Sequence, residues 1–182
     1  MRNRLSRAGL VGVTAALLGA SSLMALAGDD NDRGRERSRF FVSADLIGFQ
    51  EVPAISTTAK GRFWALVDAK ANTITFRLTY DALEGDVTQS HVHFGQKSVN
   101  GGISFFLCTN GAAPPGPLPA TCPVGPAVVT GVITPAHIIG PLGQGIEPEA
   151  FAEIVEALRD GTAYANVHSS KWPAGEIRGQ LH

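Results

Sequence analysis

Apolar and polar residues alternate in short runs along most of this chain, a pattern that indicates β-strands with one buried face. The clearest example is a pair of runs at 60–68 and 72–80, joined by the three residues 69–71. Phenylalanine, isoleucine, leucine and valine recur at every second position, and arginine and threonine hold many of the positions between them. We therefore predict a β-hairpin over residues 60–80.

Shorter runs of the same kind predict six further strands. They lie at 40–46, 87–94, 103–108, 127–133, 162–168 and 176–181. The period changes to that of a helix only at 149–160, where four apolar side chains recur at three- and four-residue spacing before Gly161. The 21 glycines and 11 prolines fall mainly between these runs, as turns require. The sequence therefore predicts an all-β fold: an antiparallel β-sandwich or flattened barrel of about eight strands with one short amphipathic helix.

The first 27 residues have the pattern of an export signal. Three arginines precede an apolar run that ends in Ala25-Leu26-Ala27, an A-x-A cleavage sequence. We predict a signal peptide at 1–27, a flexible charged leader at 28–39 and one folded domain at 40–182. A retained transmembrane anchor is the alternative. The predicted location is periplasmic or secreted, with no membrane insertion after cleavage.

The charge balance argues against a nucleic-acid partner. Loss of residues 1–27 removes three arginines and no acidic residue, which leaves 12 basic against 16 acidic residues and a net charge of −4. A mildly acidic surface repels phosphate backbones and anionic membranes. We therefore predict no nucleic-acid binding.

The chain has only two cysteines, Cys108 and Cys122, on either side of a loop rich in proline and glycine. In an exported protein such a pair is expected to form a disulfide, and closing a loop of this length stabilises a fold by roughly 3 kcal/mol. The alternative is a pair of thiolate metal ligands, although the spacing matches no zinc motif.

Three histidines lie on the polar faces of two predicted strands. His91 and His93 share one face of their strand because alternate side chains point the same way, and His168 lies in the polar row of another strand, with Tyr164 and Asn166. If the two strands are neighbours, three imidazoles meet at one point and would form a copper site, or a zinc site as the alternative. The other interpretation is structural: the histidines would hydrogen-bond the backbone of loops. Zinc would need a further ligand, for which Glu176, His137 and His182 are the candidates, and Glu176 could instead orient a ligand imidazole.

Other polar and aromatic residues near His168 have two interpretations each. Glu176 and Arg178 share one face of the last predicted strand, so they would form a surface salt bridge or flank the histidines. In the second case Arg178 would attract an anion towards the metal. Tyr164 and Trp172 would be packing residues or redox-active aromatics, and packing is the commoner use of such side chains.

Several short motifs follow one another from about Phe40 to the C-terminus. They are GFQEVP at 48–53, HVHFG at 91–95, NGG at 100–102, GTAYANVH at 161–168 and GEIRGQL at 175–181. This series resembles the chordin-domain (CHRD) family. The resemblance implies an extracytoplasmic β-sandwich; in chordin such domains belong to a secreted antagonist of growth-factor signalling. The cysteine-rich modules through which chordin binds its ligands have no counterpart here.

A weaker resemblance concerns the histidine strand alone. His91-Val92-His93 followed by Phe94-Gly95 is similar to the metal strand of copper/zinc superoxide dismutases, which implies copper. The zinc loop of those enzymes has no recognisable counterpart in this sequence.

Three functions are therefore compatible with the sequence. The leading one is an exported domain that binds a transition metal, copper first, through His91, His93 and His168. The second is a copper-dependent redox enzyme directed at superoxide. The third is a metal-free module that binds a protein or glycan partner through the loops at 95–102 and 109–126.

Overall fold

The computed structural model describes residues 38–182 and consists mainly of eight antiparallel β-strands. The strands are β1 (Arg39–Ile47), β2 (Lys60–Asp68), β3 (Thr73–Asp81), β4 (Val87–Phe94), β5 (Gly102–Thr109), β6 (Ala127–Ile133), β7 (Ala163–Ser169) and β8 (Ile177–Gln180), and the α-helix is α1 (Phe151–Arg159). The predicted signal peptide and nearly all of the predicted leader lie outside the described residues. Within residues 38–182, no helix has the length and apolar character needed to cross a bilayer.

The strands form one sheet in the order β5-β4-β7-β8-β1-β2-β3-β6. The two edge strands, β5 and β6, approach each other, so the sheet curls into a nearly closed barrel. The predicted antiparallel all-β fold with one short helix is confirmed, and the barrel describes it better than the sandwich. Because the two edges come together, they are less available for pairing with strands of other chains.

The β2–β3 hairpin has the predicted faces. Phe63 pairs with Leu78 and Ala65 with Phe76, and these side chains are buried inside the barrel. The rings of Phe63 and Phe76 stack with their centroids 6.2 Å apart. Alternate residues of β2 and β3 therefore build one side of the core.

Strand β7 lies between β4 and β8, although more than 65 residues separate it from β4 in sequence. Val92, Ala165 and Ile177 point into the core from these three strands and are almost completely buried. Because side chains alternate along a strand, the neighbouring residues of β4, β7 and β8 point outward. The histidines belong to this outward set.

Helix α1 and the disulfide close the remaining parts of the core. Phe151, Ile154, Val155 and Leu158 are buried on one face of α1, as the helical spacing predicts. Cys108, near the end of β5, is bonded to Cys122 with a Cα–Cα distance of 5.0 Å, which confirms the predicted disulfide.

Candidate metal centre

The structure brings His91, His93 and His168 together. Strands β4 and β7 are adjacent, with His91 opposite Asn166 and His93 opposite Tyr164. One ring nitrogen from each histidine lies within 4.8 Å of the other two. The three side chains belong to residues that are only 1%, 8% and 6% exposed, respectively. The predicted convergence of the three imidazoles is confirmed.

Each imidazole has its Nδ1 atom against an oxygen of the protein. His93 Nδ1 lies 2.9 Å from the Gly101 carbonyl oxygen, and His168 Nδ1 lies 2.9 Å from that of Pro173. His91 Nδ1 lies 3.2 Å from Asn166 Oδ1. A carbonyl oxygen can only accept, so the ring proton of His93 and His168 is on Nδ1 and their Nε2 atoms carry lone pairs. This is how protein oxygens commonly orient metal-ligating histidines.

Two of the Nε2 atoms have no hydrogen-bond partner. They belong to His91 and His168 and are buried. His93 Nε2 lies 3.0 Å from His91 Nδ1. Buried polar atoms nearly always have a partner, so unpartnered imidazole lone pairs call for one. A transition metal ion bound about 2 Å from each nitrogen would supply it, and the residues therefore fit such an ion.

Burial also keeps the rings neutral. Loss of hydration lowers the pKa of His91 to about 2, with a further contribution from the neighbouring His168 and His93. Burial lowers the pKa of His93 to about 4 and lowers that of His168 as well. Metal ions bind the deprotonated imidazole, so the ligands are in the required form at neutral pH.

Three segments cover the histidines on the outer side of the barrel: residues 48–53, 95–101 and 169–175. The second supplies Gly101 to His93, and the third supplies Pro173 to His168. Asn100 Nδ2 in the second segment donates to the carbonyl oxygen of Val52 in the first. We call these three segments the cover. Because of the cover, the outward-facing histidines of β4 and β7 are buried, as the side chains inside the barrel are.

A stack of three side chains, one each from β8, β7 and β4, supports the 95–101 segment of the cover. The guanidinium carbon of Arg178 lies 3.4 Å from the centroid of the Tyr164 ring, and that ring is parallel to His93 at 4.6 Å. Because β7 lies between β4 and β8, Tyr164 stands between Arg178 and His93. The Tyr164 contacts favour the packing role.

Arg178 also holds the 95–101 segment in place. It donates to the carbonyl oxygens of Gln96 at 3.2 Å and Val99 at 2.9 Å, and to Asn100 Oδ1 at 3.3 Å. Arginine can serve several acceptors at once because its five N–H groups are fixed in a planar fork. The position of the cover over His93 therefore depends on Arg178.

Gly101 is required where the cover meets β4. A Cβ at this position would lie 1.7 Å from the Phe94 carbonyl oxygen, far inside contact distance. The Gly101 N–H donates to Tyr164 Oη at 3.1 Å while its carbonyl faces His93. Only glycine allows this close approach, so its position fixes the orientation of the His93 ring.

Comparison with known proteins identifies the family. The CHRD domain family matches residues 42–181, which include all three histidines and the cover. The chain belongs to the CHRD domain family. Chordin from Danio rerio is 27% identical over 149 residues, which are 82% of this chain and 14% of chordin. No solved structure matches the chain significantly.

The prediction of a surface salt bridge between Glu176 and Arg178 in this CHRD domain is wrong, because both residues are buried. The Glu176 carboxylate accepts from Thr57 Oγ1, the Glu84 N–H and Ser169 Oγ. Arg178 lies opposite Asn166 and not His168. The alternation along the strand gave the outward direction correctly, but it carries no information about what covers the outward face.

Among the described residues, the group that could hold a metal contains none of the other candidates. His137 Nδ1 accepts from the Thr134 N–H, at the start of a short 3-10 helix at Pro135–His137. Trp172 donates through Nε1 to Glu84, beneath Lys171. Glu176 joins three segments of the CHRD domain beside the cover.

Sequence reasoning missed four residues that position the imidazoles or border the site: Glu51, Gly101, Asn166 and Pro173. Asn166 was detectable because it shares the polar row of His168. Glu51 lies in the cover with one carboxylate oxygen buried and unpartnered. Burial raises the pKa of Glu51 to about 7, although Arg178 and hydrogen bonds from Val52 and Asn166 oppose the shift. Glu51 lies in the GFQEVP motif and Gly101 in the NGG motif, both of which resemble the CHRD family. These motifs were the sequence signal that could have pointed to the two residues.

Proposed function

We propose that this CHRD domain is an exported protein that binds one copper ion through His91, His93 and His168. The observation that carries the proposal is the set of three buried imidazoles, each with Nδ1 against a protein oxygen and two with unpartnered Nε2 atoms. Zinc is the alternative ion. The disulfide between Cys108 and Cys122 supports a periplasmic or secreted location, since such bonds persist in oxidising compartments.

A purely structural role for the three histidines explains the burial less well. Burying a polar atom without a hydrogen bond costs roughly 1–3 kcal/mol, and this site contains two such nitrogens within a few ångströms. An ion held by these nitrogens would offset that cost. The Nδ1 contacts fit the same account, because each directs the opposite side of its ring away from the protein oxygen.

Copper is preferred to zinc because of the number of donors. Structural zinc sites are almost always four-coordinate, and the metal-ligating group among the described residues contains three histidines and no carboxylate. Copper binds imidazole more strongly than zinc does in the general order of divalent affinities. Three nitrogen donors on two adjacent strands therefore suit copper better.

Burial favours binding over turnover. The cover leaves the three histidines at most 8% exposed, which restricts the contact of a small oxidant such as superoxide with a bound ion. We therefore place storage or transfer of copper ahead of a superoxide-directed redox enzyme. A metal-free protein- or glycan-binding module is the third reading, and it predicts that the site can be deleted without loss of function.

The test is metal analysis with electron paramagnetic resonance on protein purified without a chelating tag. We expect one copper per chain and, after oxidation, a Cu(II) spectrum with nitrogen hyperfine structure. His93→Ala should abolish both, whereas His137→Ala, outside the cluster, should change neither. Wild-type protein that binds neither added copper nor added zinc would contradict the proposal.

A further inference from the structure

The charges around the three histidines favour a singly charged ion. We propose that the site selects Cu(I) over Cu(II) and Zn(II). This inference rests on the proposed function, since it specifies the oxidation state of the ion held by the same three imidazoles.

The donors themselves contribute no negative charge. All three are imidazoles, and no carboxylate or thiolate belongs to the metal-ligating group in residues 38–182. The cost of taking an ion out of water rises with the square of its charge, so a buried dication costs about four times as much as a monocation of the same size. Neutral donors in a buried site therefore penalise Cu(II) and Zn(II) more than Cu(I).

The nearby carboxylates offset only part of that penalty. The two oxygens of Glu176 accept hydrogen bonds from Thr57, Glu84 and Ser169, which keep them out of the metal-ligating group but leave the charge of the carboxylate in place. Glu51 is buried in the cover, and its carboxyl group interacts with Asn166 and Arg178. Burial favours the neutral form of Glu51, which weakens its attraction for a dication.

A buried positive charge opposes the attraction that these carboxylates exert on a dication, so the neutral donors remain decisive. The Arg178 guanidinium stacks on Tyr164, and Tyr164 stacks on His93, so the cation lies roughly 8 Å from the His93 ring. The hydrogen bonds of Arg178 that the structure describes go to two carbonyl oxygens and one amide oxygen, none of which carries a full negative charge. Repulsion between Arg178 and the bound ion is twice as large for a dication as for a monocation.

Coordination number points the same way. Cu(I) readily forms three-coordinate complexes, whereas structural Zn(II) is almost always tetrahedral. The described residues supply three nitrogen donors under a cover that leaves little access to water. A dication here would lack a fourth protein donor.

The test is a set of anaerobic competition titrations with Cu(I), Ag(I), Cu(II) and Zn(II) on the disulfide-bonded protein. Ag(I) serves as a singly charged ion that does not change oxidation state. We expect one equivalent of Cu(I) or Ag(I) to bind at least a hundredfold more tightly than Zn(II), and Cu(I) to bind more tightly than Cu(II). Zn(II) or Cu(II) affinity equal to or above that of Cu(I) would overturn the inference and leave the copper or zinc site standing. Failure of all four ions to bind would contradict the proposed function itself.

Arg178→Gln and Arg178→Lys form a matched pair that isolates the charge. Removing the charge in Arg178→Gln should raise Zn(II) affinity relative to Ag(I) by about tenfold. Arg178→Lys keeps the charge and loses the planar fork, so the ratio should stay near the wild-type value. An equal shift in both variants would assign the effect to the position of the cover and overturn the charge argument. If either variant fails to fold by circular dichroism, the wild-type comparison of Ag(I) with Zn(II) decides.

Discussion

The barrel has two halves that follow the same strand pattern and differ in what lies outside it. In the hairpin half, formed by β1, β2, β3 and β6, residues alternate between buried and exposed, with Trp64, Val128 and Val132 open to solvent. In the histidine half, formed by β4, β5, β7 and β8, both faces of β7 are buried along its whole length. The cover accounts for this difference.

The contrast separates residues that build the barrel from residues that build the site. Most polar side chains on the hairpin half keep contact with water, so their identity has little effect on folding. Asp68, at the end of β2, is a buried exception. On the histidine half, Asn166, His168 and Arg178 are buried and must find partners within the protein. A face that retains buried polar groups in place of apolar ones is a strong indication of function.

The largest difference in stability should appear when one outward-facing arginine on each half is replaced by alanine. Arg178→Ala leaves the carbonyl oxygens of Gln96 and Val99 without their donor and removes the stack on Tyr164, so we expect a loss of about 3–5 kcal/mol. Arg77→Ala, on the exposed face of β3, should cost less than about 0.5 kcal/mol. Chemical denaturation of both variants measures the difference. Equal losses would mean that the two faces do not differ as described.

A smaller effect should follow from a glycine substitution in the cover. Gly101→Ala places a methyl group against the Phe94 carbonyl oxygen, and the movement that relieves the clash displaces the oxygen that orients His93. We expect a loss of about 2–4 kcal/mol and weaker metal binding. Gly111→Ala, whose Cβ would have its nearest neighbour at 3.7 Å, is the control and should be near neutral. Thermal unfolding with and without metal measures both effects, and a stable Gly101→Ala with unchanged affinity would contradict the role of Gly101.

The contributions of two carboxyl groups to folding stability should depend on pH in opposite directions in the metal-free protein. Burial raises the pKa of Glu51 from 4.5 to about 7, so the folded protein binds the proton more tightly and its stability falls as pH rises through that range. Glu51→Gln removes this loss, and its stability relative to wild type should increase by up to about 3 kcal/mol between pH 5 and pH 8. The histidines titrate in both proteins and cancel in the comparison.

Asp68, at the end of β2, provides the opposite case. Hydrogen bonds from the Ala71 N–H and from Arg39 lower the pKa of Asp68 below its ordinary value of 3.8. The ionised form therefore stabilises the fold above that pH, and the stabilisation disappears as pH falls below it. Asp68→Asn should cost a constant amount from pH 5 to pH 8 and less below about pH 4. Denaturation curves at four pH values distinguish the two patterns, and a constant difference for Glu51→Gln would show that its carboxyl group is not perturbed.

The sequence was sufficient to predict the strands because their pattern is local. The predicted spans of β2, β4 and β6 agree with the structure, and those of the other strands and the helix differ by one or two residues at their ends. The disulfide also followed from the residue types, and strand alternation placed the three histidines on polar faces. Their convergence was predicted only on the condition that the two strands are neighbours. These features depend on side-chain direction, which is fixed by the period of two along each strand.

The cover could not be predicted in the same way because it depends on contacts between distant segments. Nothing in the alternation of Glu176 and Arg178 indicates that other residues lie over them. The placement of β7 between β4 and β8 is also non-local, and it decides which side chains border Tyr164. The roles of Gly101 and Pro173 depend on their carbonyl oxygens, which sequence patterns do not report.

The most direct test of the three-histidine site is an anomalous difference map from crystals of the copper-loaded protein, measured at the copper absorption edge. The account predicts one strong peak about 2 Å from a ring nitrogen of each of His91, His93 and His168. A peak only at His137 or His182, or no peak at copper concentrations that saturate binding in solution, would contradict it.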